Sequence, residues 1–582
     1  MKSTNQYDVI LLGSGLGNTT LATILAKEGF KTLIVEKGTH PRFAVGESMV
    51  FRSTLWYWIL GQIYNIPELG NLANLDEIST KVSPRCGSKL TFGFLYHREG
   101  QVQKPEESNR LIPPILKLLN EAHLYREDID LYLLNTAIKY GADYLEKCEV
   151  VNLEISDAFG VSLTTDSGNL YTGRYLVDGA GFRSPLADKL NHRLGKDDLK
   201  THSRAIFSHF DNVPAYDDLV AAGTFPKHSA KWHEGTLHHV FDGGWMWVIP
   251  FDNHDRTKNT GCSVGLMLDP RKYPLNKDIS PKEEFFRFIQ RYPSMAKHME
   301  KATPTMDFIR TDRIQYGSEY SAGPRYCQLS HGFSFIDPIF SRGIIRTMES
   351  IYVLAPKLME ALRTDDFSMD KFEYLNDMQT NQMQVTDLLV SNAYRSMANY
   401  TMWNALLQQW VGNELASAIY MLRRCFLSLQ NKDISPLLDL EEVHYNGKGT
   451  CFSKEMTEIY HLHSAQLDRA ETGEISYEEA AKPIYKALSE QWFLPYNLFS
   501  WGDPMARHAD FGRPDQLLGL LIWGKTKPTK AQQQMMTSLP IPTLLKLELQ
   551  GVFKKRRLRK KPLCNIPEKP RVLVESPQLE VA

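Results

Sequence analysis

The 582-residue chain is poor in cysteine and lacks charge of one sign, long apolar runs and repeats. Its seven cysteines are scattered, with no C-x-x-C pair. An odd, dispersed set argues against a disulfide framework and a zinc site, and fits a reducing compartment. No stretch of about 18 apolar residues occurs and no apolar run follows a basic start, so no spanning helix or secretory leader is expected. Lys plus Arg number 67 and Asp plus Glu 68, which leaves no global field to favour nucleic acid or a membrane. The expectation is a cytoplasmic protein of two to four domain-sized units.

What is there begins with residues 7–37, YDVILLGSGLGNTTLATILAKEGFKTLIVEK. Val9 to Leu12 reads as a buried strand, Leu21 to Ala26 carries a helical pattern, and Lys31 to Val35 is a second strand. The glycine turn sits between first strand and helix, the context in which such a turn binds a dinucleotide. Gly13 allows the turn, and Gly15 lets backbone approach a pyrophosphate at the helix N-terminus. Glu36, 23 residues after Gly13, is placed for a ribose hydroxyl. The third glycine of the fingerprint is Asn18, a departure that the neighbouring Gly17 partly offsets.

Further segments carry a resemblance. His40-Pro41-Arg42-Phe43-Ala44-Val45-Gly46-Glu47-Ser48 is similar to the P-R-x-x-x-G-E-S segment of flavin halogenases and geranylgeranyl reductases. Tyr125 to Leu131 resembles a flavin-monooxygenase helix start, expected to run to about Tyr140. Tyr175 to Ser184 resembles the turn that closes over FAD adenosine. Trp245-Met246-Trp247-Val248-Ile249-Pro250 matches the W-x-W-x-I-P strand of flavin-dependent halogenases, and Phe335-Ile336-Asp337-Pro338-Ile339-Phe340-Ser341-Arg342-Gly343-Ile344 resembles their flavin loop. The family resemblance is to flavin-dependent halogenases, closer to the phenol and pyrrole type than to the tryptophan type. In the tryptophan type a catalytic glutamate stands where this chain has Phe340.

That resemblance implies an α/β fold: an FAD-binding Rossmann-like domain of the GR2, p-hydroxybenzoate-hydroxylase type, an inserted β-sheet substrate domain and a C-terminal helical region. Residues 1–365 would form the halogenase-like unit, its FAD layer from about 1–60, 120–190 and 310–365 and its substrate-side sheet from about 80–100 and 200–310. Residues 366–582 would be mainly helical, with long helices at Phe372 to Met397 and Ala405 to Leu429. The cofactor would be FAD supplied reduced (FADH2) by a separate flavin reductase, since no NAD(P)H-binding domain is apparent. With oxygen and halide it would give hypohalous acid, passed to a lysine near an electron-rich small-molecule or carrier-protein-bound substrate.

The residue roles implied are as follows. Lys89, five residues before Phe94, matches the catalytic lysine of the family, with Trp245 and Trp247 insulating substrate from flavin. Desolvation would lower a tunnel lysine's pKa and favour its amine form. FAD contacts fall to Gly13, Gly15, Gly17, Glu36, Arg42, Ser48, Arg126, Asp178, Asp337, Ser341, Gly343 and Ile344. Halide would sit at Ser341, Arg342 and Gly343, where a helix N-terminus favours negative charge. Ser330-His331 replaces a G-D pair that holds FAD in related flavoproteins. His238 and His239 lack a third ligand at usable spacing and read as polar strand residues, so no metal is expected. Residues 544–561, a short apolar helix candidate with a basic cluster, could meet an acidic carrier protein or an anionic membrane. Two alternatives remain open: an FAD-dependent monooxygenase or geranylgeranyl-reductase-like oxidoreductase without halide use, and a degenerate flavoprotein scaffold.

Overall fold

The computed structural model describes residues 5–114, 116–440, 453–495, 498–526, 529, 541–570 and 572. An eight-stranded sheet has parallel Gln6–Leu12 between Thr32–Val35 and Leu170–Asp178, flanked by Asp143–Leu145 and Tyr326–Gln328. Its central strands are continuous apolar runs because both faces are covered, as a parallel sheet requires. Register brings Leu12 level with both Val35 and Asp178. Gly13, Glu36 and Gly179 therefore emerge together at the carboxyl edge, where open α/β sheets bind ligands.

A nine-stranded sheet lies over this layer, in the order Thr303–Pro304, Arg204–Asp211, Cys262–Leu268, Gly244–Pro250, Gly235–Phe241, Thr91–His97, Ser108–Ile112, with Ile309–Arg313 beside Arg204–Asp211. Its far edge is His508–Asp510, parallel to Ser108–Ile112. A region expected to be mainly helical thus also supplies a strand to the sheet. The helices Gly343–Thr364, Glu373–Ser396 and Tyr400–Asn431 share one apolar core with the first helix, Leu16–Lys27, and with Trp245 and Trp247.

The basic cluster differs from expectation. It lies within the helix Ile541–Arg559 up to Arg559, and that helix docks on the chain's own acidic residues. Lys554 pairs with Glu77 at 2.8 Å, and Arg559 with Asp76 and Asp255 at 3.4 Å each. Arg256 donates to the Leu558 carbonyl at 3.1 Å, fixing the helix end. Amphipathic reading alone cannot tell an intramolecular acidic partner from an external one. Among the described residues no helix is long and apolar enough to cross a membrane.

Candidate active site

Glu36 anchors the glycine turn. Its carboxylate accepts from Ser14 N at 2.9 Å, Ser14 Oγ at 2.6 Å and Gly38 N at 2.8 Å, with Arg42 at 3.6 Å. Burial acts to raise its pKa, but Arg42 and these donors outweigh burial and hold the carboxyl below its usual range. A groove of about 1320 Å³ runs past Gly13, Glu36, Arg42, Gly179 and Ala180. Gly15 caps the helix Leu16–Lys27, and no atom lies within 4 Å of where a side chain would start. This open space before a helix N-terminus, beside an ionised carboxylate, fits the pyrophosphate and ribose of a dinucleotide.

Asn18 is not a defect in the fingerprint. Its amide donates to the Leu12 and Gly13 carbonyls at 2.7 and 2.9 Å and packs against Gly179. Gly17 faces helix Gly343–Thr364, where an added Cβ would lie 2.8 Å from Thr347. Asp178 and Ser48, expected to contact FAD, are engaged elsewhere. Asp178 accepts from Ala180 N, Ser184 Oγ and Leu186 N, holding its own turn. Ser48 Oγ meets Thr236 Oγ1 at 2.7 Å, and Thr236 meets His123 at 2.9 Å. The other ring nitrogen of His123 lies 2.7 Å from the Pro250 carbonyl, so the G-E-S segment is tied to the end of the tryptophan strand. Arg126 forms a two-point pair with Asp130 and also donates to the Gly46 carbonyl at 3.3 Å.

Trp245 and Trp247 share one face of Gly244–Pro250, their rings 5.8 Å apart. Gly265 opposite leaves room for Trp247; a Cβ there would lie 2.3 Å from the indole. Asp337 crosslinks this sheet to the helices, accepting from Ser203 Oγ at 2.7 Å, Tyr394 OH at 2.9 Å and Ile339 N at 3.0 Å. Burial pushes its carboxyl up to about 6 despite those donors and the neighbouring Trp245.

Beyond Pro338 the chain turns through Ser341, whose φ of 50° is left-handed, and helix Gly343–Thr364 starts. Ser330, next to His331, has a φ of 46°. Non-glycine residues in this conformation cost of order 1–3 kcal/mol and cluster at functional sites. Arg342 and Arg346 are buried on the first turn. Burial, with Arg342 adding to it, pushes the Arg346 guanidinium down to about 10. Two cations at a helix N-terminus suit an anion. The His331 ring, which burial drives down to about 3, is neutral and lies against Gly343.

Lys89 does not lie in the same strand as Phe94. Gly87–Lys89 and Glu121–His123 form a separate two-stranded ribbon, with Lys89 opposite Glu121. Asn253 clamps Ser88 N and O at 2.7 and 2.8 Å, which helps fix the ribbon that carries Lys89. Lys89 is 1% exposed, its Nζ 3.3 Å from Glu121 and 4.3 Å from the Phe92 ring centre. Burial pushes Lys89 down and Glu121 up, and the charge of each opposes the shift in the other. Both line a cavity of about 50 Å³ walled by Val50, Phe92, Trp410 and Phe511. Trp410 stacks on Phe340 at 5.0 Å and meets Phe92 at 5.0 Å, so it separates the 337–343 loop from the Lys89 cavity.

Sequence reasoning missed Glu121, Trp410 and Tyr394, which lie far from their partners in the chain. The available signal was a short segment, Glu121-Ala122-His123, able to pair with Gly87–Lys89. Arg52, also at this cavity, pairs with Glu349 at 2.6 Å and Glu414 at 3.2 Å. Arg52→Met should therefore destabilise the protein by about 3–5 kcal/mol, leaving two buried carboxylates without this cation. Urea unfolding would show this, and an unchanged midpoint would rule out a structural role for the pair. His238 stacks on Phe92 and Phe94, while His239 hydrogen-bonds His97 and His298.

The two layers, the groove at the carboxyl edge and the residues around it define an FAD-binding oxidoreductase. No family model matches the chain. Tetracycline 7-halogenase of Kitasatospora aureofaciens is 36% identical over 519 residues, covering 89% of this chain and 92% of that protein. Monodechloroaminopyrrolnitrin halogenase PrnC of Pseudomonas fluorescens is 38% identical over 550 residues, covering 93% and 96%. The crystal structure of halogenase PltM with phloroglucinol and FAD superposes with a TM-score of 0.81 at 29% identity, covering 86% of this chain and 99% of that one. The chain belongs to the flavin-dependent halogenases, and its cofactor is FAD.

Proposed function

We propose that this halogenase acts on a small electron-rich ring, phenolic or pyrrolic, free or carrier-bound, in the Lys89 cavity, and takes reduced FAD from a separate flavin reductase. The observation that carries this reading is a buried lysine–glutamate pair facing an aromatic-walled cavity one tryptophan away from the 337–343 loop. We place the protein in the cytoplasm, where its buried free thiols would stay reduced. Residues 1–365 carry the FAD layer and most of the sheet over it, and the region from 366 on adds the edge strand His508–Asp510 and closes the cavity through Trp410 and Phe511.

Bound reduced FAD, with oxygen and halide, supplies hypohalous acid. Gly13, Gly15, Gly17, Glu36, Arg42 and Arg126 hold or shape the cofactor site, and Ser341 to Ile344 present a helix N-terminus to halide or flavin. Asp178 and Ser48 act through the turns they fasten. Trp245 and Trp247 keep substrate from the cofactor. The Lys89 ammonium donates to the hypohalous acid oxygen, leaving halogen electrophilic. The ring carbon bonds halogen as the O–X bond breaks, and the departing hydroxide takes a proton from Lys89 to form water. Glu121 accepts the ring proton as aromaticity returns, and passes it back to Lys89.

The test supplies chemically reduced FAD, oxygen and chloride or bromide, with monochlorodimedone as trap. Halide-dependent halogenation of the trap is expected; oxygen uptake without it would overturn the reading. Glu36→Ala should weaken FAD binding by about 1.5–3 kcal/mol, the worth of a charged hydrogen bond. Fluorescence titration measures this, and unchanged affinity would remove Glu36 from the ribose site.

A further inference from the structure

The Lys89 cavity is not isolated. Phe92 on its wall and Phe94, two residues on along the same strand face, have ring centres 5.3 Å apart. Phe94 lines a second void of about 20 Å³, and Leu111 lines both. The helix Tyr400–Asn431 runs beside the pair, with Leu407 and Val411 on the second void and Trp410 and Glu414 on the first. Phe499 and Arg507 line the second void and also a surface groove of about 710 Å³ near Pro226 and Met505.

The charge along this line is uneven. Arg507 lines the inner void, and none of its lining residues is a carboxylate; Arg110 also lines it, but its guanidinium is taken up by Thr91 Oγ1, the Ala230 carbonyl and the Trp232 ring, and Glu106 lies on the outer groove. The buried Nε of Arg507 has no hydrogen-bond partner, while the rest of this part-exposed guanidinium donates to Met505 Sδ at 3.7 Å. A buried N–H without an acceptor is costly unless something arrives to accept from it.

We propose that aromatic substrate reaches Lys89 along this line of voids, that the Phe499 ring plugs it between groove and inner void, and that Arg507 makes the neck selective for a ring bearing an oxyanion. The proposal rests on Lys89 being the halogen-transfer group. Phe499 and Arg507 are then specificity-determining residues on a segment, 498–509, that supplies no strand to the eight-stranded sheet.

The experiment places a thiol in the inner void with Leu407→Cys, or with Val411→Cys if the first does not fold. It follows labelling at that residue by mass spectrometry, with 2-sulfonatoethyl and 2-(trimethylammonio)ethyl methanethiosulfonate as probes. The anionic probe should react faster. Phe499→Ala should speed both by about tenfold or more, as removal of about 1.4 kcal/mol of barrier would; Phe499→Trp should slow both. Arg507→Gln should erase the preference for the anion. Rates indifferent to residue 499 would overturn the route, and an undiminished anion preference would overturn the role of Arg507. Trap halogenation without substrate should be unchanged in Phe499→Trp. Its absence in the wild-type protein would sink the halogenase reading, whereas its presence with labelling indifferent to residue 499 would sink the route alone.

Discussion

Lys89→Met should abolish halogenation of substrate, by at least about a thousandfold, while oxygen uptake driven by reduced flavin continues and hypohalous acid escapes to a trap in solution. The factor follows from losing both a charge-assisted donor and a proton source at the reacting atoms. Methionine keeps the volume and the contact with Phe92 but has no proton to give. Glu121 would then be buried alone and would protonate, so the fold survives and the loss is chemical. Lys89→Arg should fail nearly as badly, because a guanidinium is longer and does not give up its proton. Product analysis by mass spectrometry beside trap halogenation separates the two steps. Normal product yield from Lys89→Met would take Lys89 out of the mechanism. Loss of trap halogenation as well would move its role upstream, to the formation of hypohalous acid.

The parts of this site written in contiguous residues were legible, and the parts assembled across the chain were not. The glycine turn and Glu36 announce themselves because strand, turn and helix are consecutive, and register at Leu12, Val35 and Asp178 then needs only parallel pairing. Trp245 and Trp247 share a face by strand alternation alone. What Asp178 does besides was hidden, because its donors Ala180 N, Ser184 Oγ and Leu186 N are visible only once the turn it closes has formed. Lys89 looked like a strand residue with surface competitors. Its burial depends on a ribbon partner 32 residues away, on Asn253 and on helix Tyr400–Asn431, none of which a period-two pattern contains. The acidic partners of the basic cluster at 76, 77 and 255 were hidden too, since they lie hundreds of residues upstream.

Glu121→Gln tests the pair from its other side and should change the pH dependence of stability as well as the chemistry. Removing the carboxylate strands a buried ammonium, which costs about 3–5 kcal/mol where the lysine stays charged. Burial already pushes Lys89 down, and Glu121 is the force opposing it. Without that force the folded-state pKa falls further below the unfolded value. A depressed folded pKa contributes stability that is present above the unfolded pKa and lost as pH falls toward the folded one. The variant should therefore lose about 1.4 kcal/mol per pH unit relative to wild type as pH falls from the folded Lys89 pKa of the wild type to its own lower one, and run parallel to it outside that window. Urea unfolding at pH 6 to 9.5 reads this directly, and parallel curves throughout would show that the two groups are not coupled. Halogenation should fall too, since glutamine cannot take the ring proton, while trap halogenation persists. A variant with the pH-dependent stability loss but full product yield would leave Glu121 as the structural partner of Lys89 and hand proton removal to solvent.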